Sequence, residues 1–191
     1  MTLSQVLGHL SGGGGPDAAL QTFIVERLRY ALEQRGFDAR NVRAVTHDNP
    51  DELSPLIARR KLEVLPEFAS SREFTQLATA FKRVRNIARE LPIKAQPDMT
   101  LLKEPAEVAL LSELEQRQQT IAGAIAAGDY RRGFAEAAKF GPAVDRFFTD
   151  VFVMVDDAAL KTARLSLMKR LESLILTLGD ISEIVAEAPT R

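Results

Sequence analysis

The sequence predicts an all-α protein, a helical bundle of about eight helices. Three observations carry that reading. Apolar residues recur every three or four positions in one segment after another, the period of a helix buried along one face. No stretch alternates apolar and polar residues as a half-buried strand does. Proline, glycine, Asp and Asn stand where helices start and stop, and most connections are short enough for antiparallel neighbours.

Taken in order, Met1 to Leu10 holds Leu3, Val6, Leu7 and Leu10 at helical spacing but is too short for a lone helix. Ser11 to Pro16 includes four glycines, a flexible break. Residues 1–15 therefore read as an upstream tail and linker, and 16–188 as the folded domain, the C-terminal portion of a longer protein. Pro16 and Gly36 bracket a first helix with inner face Leu20, Phe23, Ile24, Leu28, Ala31 and Leu32. Arg27 falls inside that face. A buried cation needs a carboxylate, so Arg27 is assigned to a structural ion pair. Phe37 to Thr46 reads as a short helix capped by Asp38. Asn49–Pro50–Asp51–Glu52 opens the next with capping-box spacing, and its face is Leu53, Leu56, Ile57 and Val64. Arg60 sits in that face as a second structural arginine, and Pro66 ends the pattern.

Ser70 to Leu91 is the most informative stretch. Phe74, Leu77, Ala78, Phe81, Val84, Ala88 and Leu91 line one face. Lys82, Arg85, Asn86 and Arg89 form a stripe beside it. Such a flank suits a polyanion such as RNA. It equally describes a solvated basic flank near a helix C-terminus, where cations favour the dipole.

Pro92 to Thr100 is a connector. Lys103–Glu104–Pro105–Ala106–Glu107 opens a long helix through Val108, Leu111, Leu114, Ile121 and Ile125. Gly128–Asp129 turns it over into a hairpin arm with Tyr130, Phe134, Ala137 and Ala138. Gly141–Pro142 breaks that arm. Val144 to Met154 has strand-like composition, but helical surroundings and Asp145 and Asp150 make it a buried helix. Asp156–Asp157 caps the last long helix, with face Leu160, Ala163, Leu167, Met168, Leu171, Leu174, Ile175 and Leu178. Arg164 lies on this face, a third structural arginine, with Asp145 or Asp150 as its expected partner. Gly179–Asp180 closes the helix, and Pro189 to Arg191 reads as a frayed end.

Composition narrows the function. The chain has no cysteine and two histidines, His9 and His47, which disfavours a transition-metal site or a histidine-based catalytic unit. No apolar run reaches the ~20 residues of a membrane span, and no signal-peptide pattern opens the chain. A phosphate-binding glycine loop and a Gly-x-Ser-x-Gly elbow are missing, so no catalytic centre is expected. The net charge of −1 is unevenly spread. Residues 17–94 carry 14 Lys and Arg against 11 Asp and Glu, and the remainder is acidic, which permits a local RNA-facing surface.

Six segments then occur in a specific order. They are Phe23-Ile-Val-Glu-Arg-Leu-Arg-Tyr30, Phe37-Asp-x-x-x-Val-x-Ala-Val45, Phe81-Lys-Arg-Val-Arg-Asn-Ile87, Leu102-Lys-Glu-Pro-Ala-Glu107, Val144-Asp-x-Phe-Phe148, and Asp157-x-x-Leu160 with Arg164-Leu165. Together they resemble the C-terminal anticodon-binding domain of bacterial glycyl-tRNA synthetase beta subunits, the all-helical DALR-type domain shared with arginyl-tRNA synthetase. The resemblance runs from about Leu20 to Val185. The closing Gly179-Asp-Ile-Ser182 favours the glycyl relative over the arginyl one. Thr149 stands where the family has an acid, Phe152 where it has methionine, Lys161 where the motif has arginine, and Ala163 where asparagine is usual.

The resemblance implies ATP-dependent joining of glycine to its tRNA by the complete enzyme. It implies catalysis in a separate alpha subunit, an alpha–beta heterotetramer in the cytoplasm, and no cofactor in this fragment. It also implies that this domain grips the anticodon arm of the tRNA for glycine. Arg29, Tyr30, Arg59, Lys61, Lys82, Arg85, Asn86 and Arg89 are the candidate RNA contacts. Arg85 and Asn86 are set against base edges, Lys82 and Arg89 against phosphate. The competing reading is a protein-interaction bundle that docks within the synthetase.

Overall fold

The computed structural model describes residues 18–47, 52–92 and 96–185. Eight α-helices run through them: α1 (Ala18–Glu33), α2 (Ala39–Val45), α3 (Pro55–Ala69), α4 (Arg72–Ala88), α5 (Pro105–Ala126), α6 (Tyr130–Ala138), α7 (Gly141–Asp150) and α8 (Ala158–Leu176). Short 3-10 turns stand at Met99–Leu101 and Ile181–Glu183. No strand occurs among the described residues. The expected tail and linker at 1–15, the Pro16 start, the Asn49–Pro50–Asp51 opening and the Pro189–Arg191 end lie outside the described residues.

The amphipathic stretch at the centre folds as its spacing predicts. Ser71 caps α4, its Oγ accepting from the Phe74 amide at 3.3 Å. Phe74, Leu77, Ala78, Phe81, Val84 and Ala88 are all buried. That face makes α4 the hub: it packs on α8, α7, α6, α3 and the second 3-10 turn. Phe68, Phe74 and Phe134 gather around one junction, with ring centroids about 6 Å apart. The first residue of α7 comes so close to α4 that a Cβ on Gly141 would lie 2.8 Å from the Glu73 carbonyl oxygen. Gly141→Ala is therefore expected to push two backbones apart at a cost of about 1–3 kcal/mol, readable as a lower urea midpoint.

Local signals that compete with long-range packing shift several boundaries. Asp38 caps α2 as expected, accepting from the amides of Arg40 and Asn41. α3 starts later than expected, at Pro55, because Ser54 supplies the cap to Ile57. Leu56 and Ile57, expected inside, are exposed. Pro66 does not end α3: the helix runs three residues further, to Ala69. On α1 the buried side chains are Val25 and Leu32, while Leu20 and Phe23 face outward. The Val144–Met154 segment divides. α7 ends at Asp150, and an irregular link follows: Val151 is extended and the chain turns at Val153–Val155, with Val151 and Val153 buried and Phe152 and Met154 exposed.

The long-range polar joints differ from expectation as well. Arg164 is buried, but its partner is neither Asp145 nor Asp150. Its Nε donates to Glu107 Oε1 at 2.5 Å and its Nη1 to the Phe152 carbonyl at 2.8 Å. Glu107 Oε2 in turn accepts from the amides of Lys103 and Glu104 at 2.8 and 2.9 Å, the capping contact that starts α5. Asp150 pairs with Arg146 at 3.3 Å on the surface, and Asp145 is exposed. Arg27 makes no structural ion pair among the described residues; it is exposed, with its guanidinium 5.1 Å from the Phe23 ring centroid. Arg60 is also exposed and unpaired among them, because the α3 face that carries it is not covered.

Candidate nucleic-acid interface

One side of α4 stays open to solvent. Thr75, Thr79, Lys82, Asn86 and Arg89 recur at four- and three-residue steps and are all exposed, so they form a straight ridge. On one flank of this ridge lies a cleft of 500 Å³ lined by Arg40, Arg43, Lys82, Ser182, Glu183 and Val185. Among the described residues, three cations from two helices thus line the cleft together with one carboxylate. That carboxylate is partly neutralised, since Glu183 Oε2 accepts from Arg43 Nε at 2.9 Å.

The cleft exists because a knot behind it holds three elements together. The Asp180 amide donates to the Ala44 carbonyl at 2.7 Å, which ties the end of α8 to α2. Asp180 Oδ1 accepts from the Ser182 amide and hydroxyl, which shapes the Ile181–Glu183 turn. Asp180 Oδ2 accepts from Arg85 Nη1, which ties the same turn to α4. Arg85 Nε also lies 3.7 Å from Glu172 Oε1, and Glu172 bonds Lys169. Both carboxylates are almost fully buried.

Three of the cations predicted to meet RNA therefore do other work. Arg85 points into this knot instead of toward a base edge. Arg29 donates from Nε to Thr46 Oγ1 at 2.8 Å and from Nη2 to the Thr46 carbonyl at 3.0 Å, which clasps α1 to the end of α2. Lys61 is 3% exposed; its Nζ donates to the Thr177 carbonyl at 3.0 Å and sits 5.9 Å from the Tyr130 ring centroid. A cation at that carbonyl suits the C-terminal end of α8. Burial beneath it pushes the Tyr130 phenol above its usual range, against the opposing pull of Arg60. Arg59 is exposed and pairs with Glu63 at 3.0 Å, and Tyr30 is exposed. Neither lines the cleft. Lys82, Asn86 and Arg89 stay on the open ridge.

Sequence reasoning missed Arg40 and Arg43. Their signal was present in Ala39-Arg-Asn-Val-Arg43, where two arginines three residues apart share a helix side opposite Val42 and Val45. What could not be read was that this side faces Lys82, which is distant in the chain.

The ridge and cleft offer phosphate-binding cations, a carboxamide and hydroxyls, without a nucleophile–base pair. That is an equipment for holding a polyanion. No helix among the described residues is long and apolar enough to cross a membrane. Residues 77–186 match the family model of the DALR anticodon binding domain. A glycine–tRNA ligase beta subunit from Anaeromyxobacter dehalogenans (strain 2CP-C) is 43% identical over 171 residues, covering 88% of this chain and 24% of that protein. Beta subunits from Ralstonia nicotianae and Dechloromonas aromatica are 37% and 33% identical over 90% and 97% of this chain. The chain spans about a quarter of the length of the curated relatives it matches. With its all-helical architecture and a model match over more than half its length, the chain belongs to the DALR anticodon-binding domain family.

Proposed function

We propose that this chain grips the anticodon arm of the tRNA for glycine, with the α4 ridge and its flanking cleft as the contact surface. The observation that carries the reading is the convergence of Arg40, Arg43 and Lys82 from two helices on one cleft in a chain of net charge −1. Cations gathered this way neutralise phosphates, and the neighbouring Asn86 carries the amide geometry that reads a base edge. Asn86, rather than Arg85, is the base reader on this surface. The relatives' name supports glycine as the amino acid served. On this reading the complete enzyme joins glycine to tRNA with ATP at a site in a separate alpha subunit, alpha and beta form a heterotetramer in the cytoplasm, and this domain holds no cofactor.

The test is fluorescence anisotropy of a labelled glycine tRNA titrated with the chain at several salt concentrations. Affinity is expected to fall with salt at about 0.7 log units per decade for each neutralised single-stranded phosphate. Arg40→Ala and Lys82→Ala are each expected to flatten that slope by about that amount. Asn86→Ala is expected to cost about 1–3 kcal/mol against the cognate anticodon and little against a substituted one. Affinity independent of salt, or none at all, overturns the reading in favour of a protein-docking bundle.

A further inference from the structure

On the opposite flank of the α4 ridge lies a second concavity of 360 Å³, lined by Thr75, Gln76, Thr79 and Arg83 of α4 and by Asp145 and Phe148 of α7. Its chemistry differs from that of the cationic cleft. The Arg83 guanidinium sits 4.3 Å from the Phe148 ring centroid. Phe148 is steadied by an edge contact with the fully buried Phe147, at 5.5 Å between centroids. Thr75 and Thr79 donate their hydroxyl protons to the Ser71 and Thr75 carbonyls at 2.8 Å, which leaves oxygen lone pairs turned outward as acceptors. The side chains of Gln76 and Asp145 have no hydrogen-bond partner among the described residues.

A phosphate does not fit here, because Asp145 repels it. A wholly apolar ligand does not fit either, because it would desolvate Gln76 and Asp145 without compensation. A flat heterocycle with N–H donors on its edge satisfies both conditions: it stacks on the Arg–Phe platform and gives its donors to the carboxylate. The position is right as well. Gln76 lies roughly 9 Å along the helix axis from Lys82, which puts the groove within reach of a strand held by the cleft. We propose that the α4–α7 groove takes one unstacked nucleobase of the bound RNA against Phe148 and Arg83, with Asp145 accepting from its exocyclic amino group and Gln76 completing the edge. Uracil presents its single edge N–H between two carbonyl oxygens, which the Asp145 carboxylate repels, so the groove discriminates against it in favour of a base with an amino group. This inference rests on the RNA-binding reading above.

The test compares labelled hexacytidylate and hexauridylate binding to the unaltered chain, to Asp145→Ala and to Phe148→Leu, with glycine tRNA as the reference ligand. The unaltered chain is expected to prefer hexacytidylate about tenfold. Asp145→Ala, an exposed change that leaves the core intact, erases that preference and leaves hexauridylate affinity unchanged. Phe148→Leu keeps apolar bulk but not the ring and weakens both oligonucleotides about tenfold. Its unfolding midpoint is recorded in parallel, and Asp145→Ala decides alone if that variant is unfolded. Equal affinity of the unaltered chain for both oligonucleotides, or a preference that survives Asp145→Ala, overturns the base pocket while tRNA binding leaves the RNA reading standing. Failure of the unaltered chain to bind tRNA or either oligonucleotide overturns both.

Discussion

Replacing Arg164 by Ala is expected to lower stability by about 3–5 kcal/mol, because it breaks a buried, hydrogen-bonded ion pair. The guanidinium is the joint between three elements: Glu107 at the start of α5, the Phe152 carbonyl in the link after α7, and α8 itself. Its removal leaves Glu107, 1% exposed, with amide donors but no countercharge. For a chain of this size such a loss lowers Tm on the order of 10 °C. Arg164→Lys is expected to recover little, since an ammonium cannot reach both acceptors with fork geometry. The double variant Arg164→Met with Glu107→Gln is expected to be more stable than Arg164→Ala alone, because no charge is left buried. Thermal unfolding of the three variants checks this. A Tm for Arg164→Ala within 2 °C of the unaltered chain, below the ~1 kcal/mol level, would show that the joint contributes nothing.

Arg85→Ala is expected to cost about 2–3 kcal/mol in stability, because Asp180 and Glu172 are both left in the interior without their shared cation. Arg85 is itself a quarter exposed, which holds the loss below that for Arg164. Arg85 and Asp180 also fix the wall of the cationic cleft. The variant should therefore weaken tRNA binding without changing which anticodon is preferred. A double-mutant cycle with Asp180→Ala is expected to give a coupling energy of about 1–3 kcal/mol. An Arg85→Ala chain of full stability that has lost anticodon preference would instead return Arg85 to the role of base reader.

The two arginines show how far sequence reading reaches. Arg164 was legible as structural because it falls in the middle of an apolar stripe, and a cation there needs a partner. Its partner was not legible. Asp145 and Asp150 are near in sequence, but α7 turns both outward, while Glu107 arrives from 57 residues away. Among the described residues the same argument failed for Arg27 and Arg60, since the parts of the stripes around them are exposed. Arg85 was misread in the other direction. Its spacing places it beside Lys82, Asn86 and Arg89, but it stands at the edge of that stripe, where the α8 end and the following turn close over it. Asp180, its partner, is 95 residues away.

By itself the sequence determined the helical architecture, the buried face of α4, the caps at Asp38 and Asp157, the Glu104–Glu107 helix start and the family to which the segments belong. All of these rest on contacts within a turn or two of helix, so periodicity and capping chemistry specify them locally. The tertiary structure alone decided which cations are committed to the fold and which stay on the surface. It drew Arg85, Arg29 and Lys61 into joints and brought Arg40 and Arg43 to Lys82. It also formed a groove between α4 and α7 that Arg83 and Phe148 line together. The physical reason is that spacing fixes the side of a helix on which a residue stands, whereas the packing of distant helices fixes whether that side is covered.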